Sequence, residues 1–371
     1  MLLIVSSWSF LIGSIQKSRL VIIGLFWCLL LSSNCILNLD NNIVMFNNLI
    51  VWKAGGCIIE ILIYIIAMIY LRINFSIEKV ISLFSAVLII YSNDLMCMYI
   101  ILEIQSLIFY ILVAKSSISS ALKYFIIGSF ASTLILLGIV INMNDVIVIG
   151  ILIKLGIPPF HQWNVDILDC SELDITAWFS TIGKLSLIYV LINFIKPTYI
   201  LLVGVISCFI IGTFMGFIQL KIKRLIAYSG IIHLGFMLLG KGDSNLIYMV
   251  AYSISLIIFL IIIEDIDAIL ITDINLNWYT YGILIVNILS LAGFPPFIGF
   301  LGKLSVIESI VDIEFWVGFI AMIVSIFSFF IYFNLLRNIK IDSNLSLNSW
   351  SNSWIVSYGT IASLILMWTI I

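Results

Sequence analysis

Residues 154–163 read KLGIPPFHQW and residues 289–304 read LSLAGFPPFIGFLGKL, and the architecture of the protein follows from what the two stretches share. Each contains Gly-x-Pro-Pro-Phe, at 156–160 and again at 293–297, inside hydrophobic sequence and beside a lysine. Lys154 lies two residues before Gly156, and Lys303 lies six residues after Phe297. Proline removes a backbone donor and breaks a helix. At membrane depth, broken backbone is tolerated only where it is buried in protein or lines a hydrated cavity. Paired Gly/Pro-interrupted segments in two halves of a chain therefore point to a transporter with internal repeats and two discontinuous helices.

The surrounding composition places these doublets in lipid. The 371 residues are 63% hydrophobic and 10% charged, whereas a soluble domain carries about a quarter of its residues as charges. A spanning helix needs about 20 apolar residues. Apolar runs between polar breaks give fourteen candidate spans, at 1–15, 20–38, 55–72, 79–93, 95–114, 121–142, 146–162, 175–195, 198–219, 225–240, 245–263, 279–304, 313–336 and 353–371. Open sheet edges cannot sit in lipid and the alternation of a barrel is missing, so the spans are helices. The fold class is an all-α polytopic membrane protein with about 14 transmembrane helices. The first run has no small-residue cleavage site and reads as an uncleaved span.

Several chemistries are excluded by what the sequence lacks. A net charge of −2 argues against nucleic acid as a partner. The six cysteines (Cys28, Cys35, Cys57, Cys97, Cys170, Cys208) form no C-x-x-C and no Cys/His cluster, so no metal site can be read from them. Neither the G-x-x-x-x-G-K-[ST] nor the G-x-G-x-x-G phosphate-binding pattern occurs.

The 17 basic residues map the topology. With fourteen spans, one side holds Lys17, Arg19, Arg72, Lys79, Lys115, Lys123, Lys221, Lys223, Arg224, Arg337 and Lys340, and the other holds only Lys53, Lys196 and Lys241. That bias makes the first side the inner one and puts both termini outside. Two loops on the inner side are acidic instead, with Asp166, Asp169, Glu172 and Asp174 in one and Glu264, Asp265, Asp267 and Asp273 in the other.

Three lysines remain, Lys154, Lys184 and Lys303, all inside or at the edge of apolar spans. An ionisable residue there costs about 2.5–3.5 kcal/mol, which makes function the default reading and snorkelling to the interface the alternative. Lysine suits proton handling because its ammonium loses its proton readily on desolvation, as a guanidinium does not. Glu103 in MCMYIILEIQSLIFYILVA and Glu60 in GCIIEILIYIIAMIYLRI are the carboxylates at comparable depth. A pair between such a carboxylate and a lysine, broken and remade, is a physical way to move a proton. Asp94 marks a loop. His233 is either a relay between lysines or a satisfied contact between helices. His161 reads as a helix-end residue.

At this point five stretches, in order, resemble the subunit 2 family of the proton-pumping NADH:ubiquinone oxidoreductase, respiratory complex I, within the antiporter-like membrane subunits. They are ILEIQSLIFYILVA (101–114), ALKYFIIGSFASTLILLG (121–138), KLGIPPFHQW, KRLIAYSGIIHLGFML (223–238) and LSLAGFPPFIGFLGKL. The resemblance implies two inverted five-helix repeats, with Glu103 as the membrane glutamate and Lys154 as its partner on the first broken helix. It implies Lys184 as the central lysine, Lys303 as the terminal lysine on the second broken helix, and His233 on the same mid-membrane polar axis. It also implies no cofactor or metal in this chain, with NADH, FMN, iron–sulfur clusters and ubiquinone held by partner subunits. After Trp163 the sequence NVDILDCSELDIT departs from the family pattern, and Glu60 matches no family position.

The expected organisation is N-terminal helices over 1–78, a first repeat over 79–195, a second repeat over 198–336 and a C-terminal helix over 337–371. The expected role is proton translocation in the membrane arm of complex I, beside other antiporter-like subunits. The Ile-, Phe-, Tyr- and Asn-rich composition suggests the mitochondrial inner membrane, with a bacterial plasma membrane as the alternative. A stand-alone cation/proton antiporter of the same fold and a purely structural membrane subunit are the competing readings.

Overall fold

The computed structural model describes residues 43–341, apart from 46–48, 53, 74–75, 195–197, 265, 267–268 and 312–313, together with Cys28 and Ser32. The candidate spans at 1–15, 20–38 and 353–371 and both termini lie outside the described residues. What is described is mostly helical, with short strands confined to connections: β1 (Ile43–Met45) pairs antiparallel with β2 (Ile50–Trp52), and β3 (Asn275–Leu276) pairs parallel with β4 (Lys340–Ile341).

The chain forms two compact units, Met1–Gly156 with Cys170–Ile200, and Ile157–Asp169 with Leu201–Ile371. The first contains α1 (Ala54–Ile73), α2 (Ile77–Tyr91), α3 (Leu95–Ser116), α4 (Ile118–Ile141), α5 (Asn144–Leu155) and α7 (Leu173–Phe194). Asp94 sits in the short link before α3, where its carbonyl accepts from the Met98 N–H at 2.9 Å. α4 and α5 pack closely because glycines face backbone: a Cβ on Gly150 would meet the Ala131 carbonyl oxygen at 2.9 Å, and one on Gly138 the Ile147 nitrogen at 2.8 Å. α7 is buried almost throughout and carries a π-helical turn at Phe179–Gly183, immediately before Lys184. Such turns widen a helix and concentrate at functional sites.

The second unit contains α6 (Gln162–Cys170), α8 (Tyr199–Ile218), α9 (Ile222–Leu239), α10 (Asp243–Glu264), α11 (Trp278–Ala292), α12 (Ile298–Val311) and α13 (Phe315–Asn338). Here α9 and α10 form the interior, whereas α8 and α13 present large apolar side chains outward, among them Phe214, Ile218, Ile326 and Phe333. α4 does the same in the first unit with Ile126 and Val140. Outward apolar faces of this extent mark contact with lipid or with a neighbouring chain. Among the described residues seven helices are long and apolar enough to cross a membrane: α3, α4, α7, α8, α9, α10 and α13.

α5 stops at Leu155 inside the candidate span 146–162, and the candidate span 279–304 divides into α11 and α12 at its proline doublet. Two details differ from the sequence reading. The acidic stretch after Trp163 is helical over 162–170 rather than a loop. Trp163, Asn164, Ile167 and Leu168 share its buried face, and the polar half of the helix hides it from a hydropathy reading. Asp169 on this helix accepts from Arg224 Nε at 2.8 Å and Lys221 Nζ at 3.4 Å, which ties α6 to the start of α9. Lys79, read as a loop cation, is buried in the first turn of α2.

Candidate functional site

Both helix breaks are built the same way. Gly156 ends α5 and Gly293 ends α11 in the left-handed conformation, at φ +73° and +78°, where a side chain would be strained. A turn follows in each case, from the Phe160 N–H to the Ile157 carbonyl and from the Phe297 N–H to the Phe294 carbonyl, both at 3.0 Å. The two prolines lie inside these turns, where their missing donors leave no ladder bond unmade.

In the first unit Lys154, in the last turn of α5, donates to Glu103 Oε1 of α3 at 2.7 Å. Its side chain is 7% exposed and that of Glu103 is 30% exposed. A cavity of about 30 Å³ opens beside the pair, lined by Lys154, Lys184, Gln105, Ser106, Tyr124 and Phe179 among others. A water needs only about 10–15 Å³ of such space and a few polar partners, so the gap between the two lysines accepts one. Gln105 and Ser186 face each other at 3.3 Å beside this cavity, on α3 and α7. Three of the expected site residues, Glu103, Lys154 and Lys184, are therefore brought together.

In the second unit Lys303 of α12 is buried and donates to the Ala292 carbonyl and to Ser328 Oγ, each at 2.8 Å. Ala292 is the last residue of α11, so the lysine satisfies one of the carbonyls that the break leaves open, at the negative end of the helix. Among the described residues no carboxylate pairs with Lys303, so the two broken helices hold their lysines differently. His233 of α9 lies between two tyrosines, with Nδ1 2.6 Å from Tyr248 Oη and Nε2 3.1 Å from Tyr332 Oη. A cavity of about 10 Å³ is lined by His233, Tyr248, Tyr252, Ser290 and Lys303. His233 is thus both a satisfied contact and a group with a proton site at each nitrogen, in reach of two hydroxyls.

His161 precedes α6, and its carbonyl accepts from the Asn164 N–H at 3.1 Å, as a helix-end residue does. Glu60 does not pair with a lysine among the described residues; it is buried and accepts from Tyr64 Oη at 2.8 Å and from Tyr91 Oη. Removing one donor by Tyr91→Phe is expected to destabilise the protein by about 1–3 kcal/mol. Thermal unfolding in detergent checks this, and an unchanged midpoint contradicts it. Sequence reasoning also missed a buried ion pair between Lys79 of α2 and Asp174 of α7. The sequence puts Lys79 and Asp174 on the same side of the membrane but does not pair them.

The chain is similar to several known membrane proteins. Residues 92–146 and 142–330 match the family described as NADH:quinone oxidoreductase/Mrp antiporter, TM. The NADH-ubiquinone oxidoreductase chain 2 of Rhizopus oryzae is 27% identical over 440 residues, covering 92% of this chain and 84% of that protein. The protein of the same name from Dictyostelium discoideum is 31% identical over 323 residues, 70% of this chain and 66% of its own. Among solved structures, a chain of respiratory complex I from Thermus thermophilus superposes with a TM-score of 0.86 at 21% identity, over 98% of this chain and 96% of that one. With the matched segments taking in both helix breaks and all three membrane lysines, the chain belongs to the NADH:quinone oxidoreductase/Mrp antiporter transmembrane family.

Proposed function

We propose that the chain is the proton-translocating subunit 2 of a complex I-type NADH:quinone oxidoreductase, moving protons through Glu103, Lys154, Lys184, His233 and Lys303. The observation that carries this reading is the 2.7 Å contact between Glu103 and Lys154 beside a water-sized cavity that Lys184 also lines. Opposite charges in a low-dielectric setting attract strongly, and separating them leaves each uncompensated. A perturbation that opens the pair therefore drives a proton between Lys154 and Lys184. Charge then passes to Lys303, in the order that the family implies, with His233 exchanging protons with Tyr248 and Tyr332.

The names of the relatives support membership of an oxidoreductase complex. On this reading the chain works beside other membrane-arm subunits, antiporter-like ones included, and NADH, FMN, iron–sulfur clusters and ubiquinone act in partner chains. Residues 79–195 and 198–336 are the two inverted repeats, and the paired Gly/Pro breaks support that division. The site of action is the mitochondrial inner membrane, with both termini on the intermembrane-space side; the biased composition and the placement of the basic residues support it.

Glu103→Gln tests the reading in the assembled complex, because it keeps the side-chain shape and removes the charge. The expected outcome is normal assembly with a lowered proton-to-electron ratio in vesicles. A wild-type ratio contradicts it.

A further inference from the structure

The strongest feature outside the path described above is the Lys79–Asp174 pair. Both side chains are buried, at 3% and 7% exposure, and Asp174 Oδ1 has no hydrogen-bond partner among the described residues. The pair lies one residue inside a surface ion pair, Glu78–Lys115 at 2.8 Å, whose side chains are 29% and 49% exposed. Glu78 is the residue before Lys79 in the first turn of α2, so the exposed pair marks the end of the helix at which Lys79 lies. Lys115 holds the Glu78 carboxyl below its usual range through their hydrogen bond, so Glu78 is charged at neutral pH.

From this end α2 and α7 run side by side in the same direction. Lys79 meets Asp174, and one turn further on Trp178 Nε1 donates to Ser82 Oγ at 2.8 Å. The next turns hold Ser85 on α2, and Ser180 and Thr181 within the π-helical turn that leads directly into Lys184; all three are buried, and each donates its hydroxyl to a carbonyl of its own helix. Lys184 lies ten positions after Asp174 on α7, about 15 Å at an α-helical rise. A buried ion pair at the mouth of a run of buried hydroxyls, on the helix that carries the central lysine, is costly to keep as a mere clamp.

We propose that Lys79 and Asp174 form a proton-loading pair that supplies Lys184 from the end of the unit where Glu78 meets water, an inference that rests on the proton-translocating reading above. In the loading step a proton leaves Lys79 Nζ for the Asp174 carboxylate. One N–H bond breaks and one O–H bond forms, so the ion pair becomes a neutral amine and a neutral acid. The acid releases its proton toward Lys184 along the hydroxyls of Ser85, Ser180 and Thr181, and the amine takes its replacement from water at the Glu78 end. The net charge of the pair is the same before and after.

Arginine separates this role from a structural one, since it keeps the ion pair but does not give up its proton. Lys79→Arg, Asp174→Asn and Lys184→Met are compared in the assembled complex in vesicles, by NADH oxidation and proton-to-electron ratio. Lys79→Arg and Asp174→Asn are each expected to bring the ratio down to that of Lys184→Met while oxidation continues. A wild-type ratio in either variant overturns the loading pair, and so does failure of both to assemble, which assigns the pair to holding α2 against α7. If Lys184→Met itself leaves the ratio unchanged, the translocating reading fails as a whole, a result distinct from failure of the pair alone.

Discussion

Gly299→Ala is expected to lower accumulation of the folded chain in the membrane severalfold. Gly299 lies in the first turn of α12, just past the second helix break, and a Cβ there would sit 1.7 Å from the Ser290 carbonyl oxygen of α11. The obstacle is backbone on both sides, so no side-chain rotation relieves it. Overpacking of well-packed sites costs about 1–3 kcal/mol where neighbours can give, and here the break itself must open, so the cost is expected at or above the top of that range. Against a total stability of about 5–15 kcal/mol, a loss of that size takes a large share of the margin, and it falls on the break across which Lys303 is anchored to Ala292. Gly282→Ala in α11 is the control, because its Cβ would meet nothing within 4 Å. Immunoblotting of membranes for both variants checks this, and wild-type levels of Gly299→Ala contradict it.

Lys184→Met is expected to have the largest effect on transport. Lys184 is buried in the interior of α7 and lines the cavity that Lys154 also lines. Methionine has a similar length and fills the space as an unbranched apolar chain, so the helix packing is kept. What is lost is the one group on α7 at this cavity that holds and releases a proton. Assembly and NADH oxidation are expected to persist, with loss of the protons that this chain carries. Lys184→Arg is expected to fail in the same way because it retains the charge without the exchange. Dye-monitored acidification in vesicles, normalised to NADH oxidised, measures it, and a wild-type ratio in Lys184→Met contradicts the path.

Much of this was legible in the sequence because lipid leaves the chain few options. The two Gly-x-Pro-Pro-Phe segments announced the helix breaks, since no helix continues through a proline doublet. Glu103 and Lys154 stood out because each is costly in a span alone, and the family resemblance is what paired them. α6 was not legible: Gln162, Asp166 and Asp169 make it half polar, and hydropathy reads such a helix as a loop. Lys79 reads as a loop cation because it falls at the edge of an apolar run, and its partner Asp174 lies 95 positions away in the chain. Pairing over that distance is set by how α2 packs on α7, which no local pattern encodes. Tyr91 beside Glu60, and Tyr248 and Tyr332 beside His233, were hidden for the same reason, as each comes from a neighbouring helix that only packing brings near.

The central claim is that the Glu103–Lys154 pair opens and closes as the complex turns over. Infrared difference spectroscopy on the assembled complex, oxidised against reduced, tests it most directly. Opening the pair takes the Lys154 ammonium away from the Glu103 carboxylate and shifts the carboxylate stretching band, a difference band that is absent in Glu103→Gln. That band, lost in the variant, is the expected result; spectra of wild type and Glu103→Gln that coincide through the carboxyl region would contradict the account.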